Sequence, residues 1–339
     1  MRILVTGATG LLGGRLVAQL ARDGHEVLAL TRSRASHAGL RAAGATPLDG
    51  DLDDPAPLAL PALDAVVHAA ARFRFAGPRE AFLRTNVDAT ARLLEASARA
   101  GARSFVYISA AGVVMDPAGR PMRRVDETAP THPEHFSGYL ASKARAEQLV
   151  LRADKPGFRA IAIRPPALWG PGDPFSRALP RALASGRFAF IDRGEHAFAT
   201  CHVDNVIEAV RCALQRGSGG RAYFVADPQT LSFRDFVASL AELQGLSVER
   251  VGSMSYRLAW NLGRVMEAFW SLARRPGDPP LSRSLVRMIG REFTLDDGAA
   301  RRELGYAAST SRAAGLRSYA QAARAPDTAV PDAGNASAA

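Results

Sequence analysis

Gly7, Gly10 and Gly13 fall at three-residue spacing between a short apolar run, Arg2-Ile3-Leu4-Val5-Thr6, and an apolar pattern at helical period that continues to Leu20. The order reads as strand, tight turn, helix. No other stretch constrains the fold as much, because a strand that feeds a helix in this way opens a βαβ unit on a parallel sheet. Gly7 can carry the backbone through a turn that a Cβ would forbid, Gly10 lets the main chain approach a pyrophosphate, and Gly13 lets the helix lie close on the strand. The free amides at the helix N-terminus then face phosphate oxygens. A dinucleotide site is the expectation.

The bulk properties narrow the class. A chain of 339 residues with 47% hydrophobic content can bury a large core. Cys201 and Cys212 are too few for a disulfide framework and show no ligand spacing, so reduced thiols and no metal are expected. Met1-Arg2 leads directly into the first strand without a leader pattern, and no run of about eighteen apolar residues follows, which predicts a soluble, cytoplasmic protein. The net charge of +10 comes from 43 basic residues, of which only Lys143 and Lys155 are lysines. Arginines scattered among alanine, glycine and proline look like coding bias rather than a basic patch, so nucleic acid is not an expected partner. In a chain that avoids lysine, Lys143 stands out.

Further strands are expected at Glu26 to Leu30, Ala45 to Asp49, Ala65 to His68, Arg103 to Ile108 and Phe158 to Ile163, with a long helix from Pro78 to Ala100. Where an NAD site usually offers an acid to the ribose 2′-hydroxyl, Thr31 and Arg32 follow the second strand, and an arginine there suits the 2′-phosphate of NADP(H). Gly50-Asp51-Leu52 and Ala69-Ala70-Ala71 end the third and fourth strands on the ligand side of the sheet, the alanines leaving room for a flat adenine and ribose. Ser137 is the expected N-cap of a helix containing Tyr139-Leu140-Ala141-Ser142-Lys143. The fold class is therefore α/β, a Rossmann-type doubly wound sheet over residues 1–173, with contributions from about 186–226. A smaller, mostly helical lobe over 174–324 should bind substrate, and 325–339 should be a disordered tail.

The spacing of four puts Tyr139 and Lys143 on one helix face. A phenol is a poor acid or base near neutrality unless its anion is stabilised, and a lysine ammonium with an oxidised nicotinamide would do that. Ser109, delivered by the fifth strand, can bond the same substrate oxygen, and Asn86 on the long helix could hold a water linking Lys143 to solvent. These residues resemble the extended short-chain dehydrogenase/reductase superfamily over about 1–320. The resemblance rests on Thr6-Gly7-Ala8-Thr9-Gly10-Leu11-Leu12-Gly13, Gly50-Asp51-Leu52, His68-Ala69-Ala70-Ala71, Asn86-Val87, Tyr107-Ile108-Ser109, Tyr139 with Lys143, and Arg164-Pro165 before Gly170-Pro171-Gly172. His202-Val203-Asp204-Asn205-Val206 and Tyr223-Phe224-Val225 resemble its 3β-hydroxysteroid dehydrogenase branch. The resemblance implies that the glycine turn, with Thr9, Leu11 and Leu12, holds the cofactor and that Asp51 and Leu52 frame the adenine. It also implies that Lys143 bonds the nicotinamide ribose, Pro165 and Pro166 seat the carboxamide, Tyr139 is the acid/base and Ser109 its partner.

An NAD(P)-dependent oxidoreductase interconverting a secondary alcohol and a ketone is therefore expected, on a small apolar or amphipathic substrate of steroid-like or long-chain 3-oxoacyl type. A nucleotide-sugar epimerase or dehydratase would share the turn and the Tyr/Lys pair, but here Ser109 is followed by the apolar run Ala110-Ala111-Gly112-Val113-Val114-Met115. A non-catalytic NAD(P)-sensing regulator would tend to lose the pair. Phe73, Phe75, Phe136, Trp169 and Phe175 would line an apolar wall if they point inward. Within Met254 to Arg275 the apolar residues form a stripe that reads as core helix, substrate lid or bilayer-lying helix, in that order of expectation. The oligomer is left open, with a homodimer among the options.

Overall fold

The computed structural model of the protein describes residues 1–56 and 58–324. The expected tail at 325–339 lies outside them. Seven parallel strands form the main sheet: β1 (Arg2–Thr6), β2 (Glu26–Thr31), β3 (Ala45–Asp49), β4 (Ala65–His68), β5 (Ser104–Ile108), β6 (Arg159–Arg164) and β7 (Arg221–Phe224). Their order is β7-β6-β5-β4-β1-β2-β3. The chain reverses its winding between β1 and β4, and ligands of such sheets bind outside the carboxyl ends at that switch point.

Period-2 alternation sends successive side chains of a strand to opposite layers. Ile3, Val5, Ala29, Val67, Val106 and Ile161 pack with α1 (Leu11–Arg22) on one face of the sheet. Leu4, Leu28, Val66, Phe105 and Tyr107 pack on the other. Both faces are covered, which is why these strands read as continuous apolar runs. The second layer is built by α2, a continuous helix of Arg79–Leu83, a π-helical turn Arg84–Asp88 and Ala89–Arg99, and by α3 (Gly138–Arg152). Ser137 is the N-cap of α3, but its side chain makes no capping bond.

The lobe boundary at 173 is crossed in both directions. Met122–Val125, inside the expected nucleotide domain, pairs with Phe293–Leu295 in the four-stranded sheet of the smaller lobe. In return, β7 completes the main sheet and α4 (Val203–Gln215) packs beside α1 in the same core. The lobe also holds the helices Pro174–Ala184 and Phe233–Glu242, then α5 (Tyr256–Leu272) and α6 (Arg283–Ile289). Expected first as a core helix, α5 is not one. It buries only Tyr256, Ala259 and Gly263 and turns its broad apolar stripe outward. Among the described residues no helix is long and apolar enough to cross a membrane, and no group of side chains has the makings of a metal site.

Candidate active site

The glycine turn is packed to the point where side chains are excluded. Gly7 has φ +68°, and a Cβ on it would lie 2.7 Å from the Ala70 nitrogen. On Gly13 a Cβ would lie 2.0 Å from the Gly7 carbonyl oxygen, so Gly13 allows α1 to approach the turn itself rather than the strand before it. No side chain caps the N-terminus of α1, which leaves the amides of Leu11 and Leu12 open to an anion, with Thr9 half-buried beside them. This uncapped, Cβ-free cradle fits a dinucleotide pyrophosphate.

Behind the turn runs a buried chain of hydrogen bonds. Thr90 Oγ1 donates to the Asn86 carbonyl at 2.7 Å, so it accepts from His68 Nε2 at 2.8 Å, and His68 Nδ1 accepts from Thr6 Oγ1 at 2.7 Å. Thr6 Oγ1 in turn accepts from the Ala70 amide at 3.2 Å. Burial, assisted by the Lys143 charge, lowers the pKa of His68 to about 3, so the ring is neutral and has a fixed tautomer. The alanine run is thereby tied to the glycine turn and to α2.

Asn86 lies in the π-helical turn. Its Oδ1 accepts from the Arg72 amide at 2.7 Å, and its Nδ2 donates to the Arg72 carbonyl at 3.1 Å and to Ser142 Oγ at 2.9 Å. Ser142 Oγ donates to the Tyr139 carbonyl at 2.8 Å. Asn86 commits both amide hydrogens to protein partners. It clamps the chain after Ala69-Ala70-Ala71 and braces α3.

Two backbone bonds join the loops at the sheet edge: Ser109 donates to the Ile163 carbonyl at 2.8 Å, and Ala111 to the Pro165 carbonyl at 2.8 Å. The Lys143 ammonium donates to the Ile108 carbonyl and lies 4.1 Å above the Tyr107 ring. Tyr139 sits one helical turn earlier, about 6 Å of rise along the same face. Ser109, Tyr139 and Lys143 are therefore brought together. The buried Ser109 Oγ has no partner among the described residues. Burial raises the Tyr139 phenol above its usual range and brings Lys143 down to about 7, with Glu147 opposing the latter.

Glu147, missed at the sequence level, continues the Tyr139-Lys143 stripe by another turn. Its carboxylate accepts from Arg164 Nε at 2.9 Å and Nη2 at 2.6 Å in a fully buried fork, while the guanidinium lies 5.2 Å from the Phe224 ring. The four-residue spacing was its only signal.

The other predicted cofactor positions occupy the same edge. Thr31 Oγ1 accepts from the Ser33 amide at 3.2 Å, whereas Arg32 is exposed and makes no bond among the described residues. Neighbouring Arg34 is tied to Asp49 at 3.3 Å, as is His37 at 2.8 Å. Asp51 Oδ1 accepts from the Asp53 amide, and Leu52 packs beneath it. Pro165 is buried and Pro166 half-buried.

The aromatic residues divide. Phe73 stands edge-on to the Tyr139 ring at 4.8 Å and to Phe75 at 5.1 Å, while Phe136 meets Trp260 at 5.3 Å. Trp169 and Phe175 are not substrate-facing. The Trp169 indole is buried and donates to Asp227 at 2.6 Å, and Phe175 stacks on Phe236 in the lobe core. The run after Ser109 also turns inward, burying Ala111, Val113, Val114 and Met115.

Residues 3–226 match the NAD dependent epimerase/dehydratase family. The chain is 38% identical over 334 residues to 4-hydroxy-2-methyl-3-oxo-4-farnesyl-3,4-dihydroquinoline-1-oxide ketoreductase of Stigmatella aurantiaca, covering 98% of this chain and 99% of that one. It is 32% identical over 329 residues to 2-alkyl-3-oxoalkanoate reductase of Stenotrophomonas maltophilia strain K279a, covering 94% and 98%. A solved structure of MoeE5 with UDP-glucuronic acid and NAD is similar at TM-score 0.71 and 26% identity, covering 96% and 99%.

Proposed function

The chain belongs to the NAD dependent epimerase/dehydratase family, and from that premise we propose that it reduces the ketone of a long-chain 3-oxo compound, with NADPH preferred to NADH. It is an NAD(P)-dependent oxidoreductase acting on a largely apolar substrate. The observation that carries the finer reading is the registration of α3 on β5. Lys143 bonds the carbonyl of Ile108, the residue before Ser109, and Tyr139, one turn earlier on the same helix face, stands against Phe73.

When bound, the nicotinamide supplies the hydride. Tyr139 supplies the proton to the nascent alkoxide oxygen; burial raises its pKa, so the transfer draws on the Lys143 ammonium to stabilise the phenolate left behind. Ser109 Oγ, without a partner among the described residues, donates to the same oxygen and orients it. In its protonated form, which Glu147 favours against burial, Lys143 lends positive charge to the phenol and offers its remaining hydrogens to the ribose. Phe73 and Phe75 offer an apolar surface beside Tyr139 that favours an alkyl chain over a sugar. The test is a comparison of NADPH consumption with a long-chain 2-alkyl-3-oxo acid, a 3-ketosteroid and a UDP-hexose. Turnover of the first is expected; epimerisation of the UDP-hexose with inert ketones would overturn the reading.

The cofactor preference rests on Arg32, uncommitted where Arg34 is already paired. Arg32→Ala should weaken NADPH binding by about 1.5 to 3 kcal/mol, the range for a hydrogen bond to a charged group, and leave NADH nearly unchanged. Titration of both cofactors by fluorescence decides it; equal losses would remove Arg32 from the site.

A further inference from the structure

We propose that α5 is a docking surface for an anionic lipid bilayer. Leu258, Leu262, Val265, Phe269 and Leu272 recur at alternating intervals of four and three, so they form one stripe along the helix. They are 57%, 36%, 61%, 51% and 87% exposed, large apolar side chains turned to solvent along one line of the helix.

Charge selects the occupant. Glu267, the one acid of the helix, is turned inward and accepts from the amide and the Nε of Arg283, both at 2.7 Å. Arg257 and Arg264 run along one edge of the stripe and Arg274 follows its end. All three are exposed, with no partner among the described residues. Arg275 lies over the Phe269 ring at 5.4 Å. The outward face is thus apolar along its middle and cationic at its edge, the pattern of a helix lying in the headgroup layer. A second copy brought against the stripe would bring arginines but no carboxylate of this helix.

The surface also has a position that suits the enzyme. On its inward side Trp260 meets Phe136, three residues before Tyr139, and Asp278 just past the helix accepts from the Ala76 amide at 2.9 Å. Asp278 therefore holds the loop bearing Phe73 and Phe75. Docking through α5 would therefore act on a helix that is tied directly to this loop.

Flotation of the purified full chain with vesicles tests the proposal. The protein should rise with an equal mixture of phosphatidylcholine and phosphatidylglycerol at low salt, and much less with phosphatidylcholine alone or at high salt. Val265→Glu combined with Leu272→Glu should lower the bound fraction by about tenfold, and so should Arg257→Glu with Arg264→Glu, while turnover of a short, water-soluble ketone is unchanged. A wild type that stays with the soluble fraction, or apolar variants that float as well as it does, would overturn the proposal. So would a wild-type dimer in sedimentation that Val265→Glu converts to monomer, since a second copy would then own the stripe.

Discussion

Tyr139→Phe is expected to lower kcat by about 10² to 10⁴, the usual contribution of a positioned general acid, while the fold and cofactor affinity persist. The structure explains why the two effects should separate. The Tyr139 hydroxyl bonds nothing among the described residues, so its removal strands no partner, and phenylalanine keeps the edge-on contact with Phe73. Lys143 stays anchored on the Ile108 carbonyl, and Ser109 stays on β5. Single-turnover rates with a saturating ketone read the loss directly. Residual activity above about a tenth of wild type would take the proton donor elsewhere.

Glu147→Ala should cost about 3 to 5 kcal/mol of stability, because it leaves the Arg164 guanidinium charged, buried and without its fork. That guanidinium lies against the Phe224 ring on the sheet side of α3, where water cannot replace the lost carboxylate. The joint replacement of Glu147 by leucine and Arg164 by methionine should lose much less, since no charge is then stranded. Denaturant midpoints of the two proteins make the comparison. A single variant as stable as wild type would mean that the fork contributes nothing. Glu147→Gln, which keeps the shape, should depress the Lys143 pKa further, because the Glu147 charge is what opposes burial there.

The main sheet was open to sequence reading because each strand carries its own local evidence. The third and fourth strands fall at the expected Ala45–Asp49 and Ala65–His68, bounded by turn residues, the fourth buried throughout and the third only at Ala45. Tyr139 and Lys143 were equally visible, as a spacing on one helix. What escaped depends on partners far along the chain. Met122–Val125 is a strand only because Phe293–Leu295 lies beside it, and four residues with two arginines carry no period of their own. Asn86 was picked out, but its task follows from where the Arg72 backbone passes, which no local pattern records. For α5 the periodicity located the stripe correctly and could not say which way it faces. Its neighbours on the inward side, the Gly263 approach to Ser282 and the Glu267 bond to Arg283, make that choice.

The π-helical turn at Arg84–Asp88 makes the length of α2 a matter of arithmetic. Such a turn accommodates one residue more than an α-turn, so it behaves as an insertion absorbed inside a helix. Phe82 before it and Leu93 after it are both fully buried, on flanks whose relative phase the turn sets. Rewind it to α geometry with all its residues kept, and everything downstream turns by about 100°. Leu93 would swing off its layer or Asn86 off the Arg72 backbone. A helix without the turn keeps the same phase only when it is one residue shorter, so the turn and its extra residue must be exchanged together.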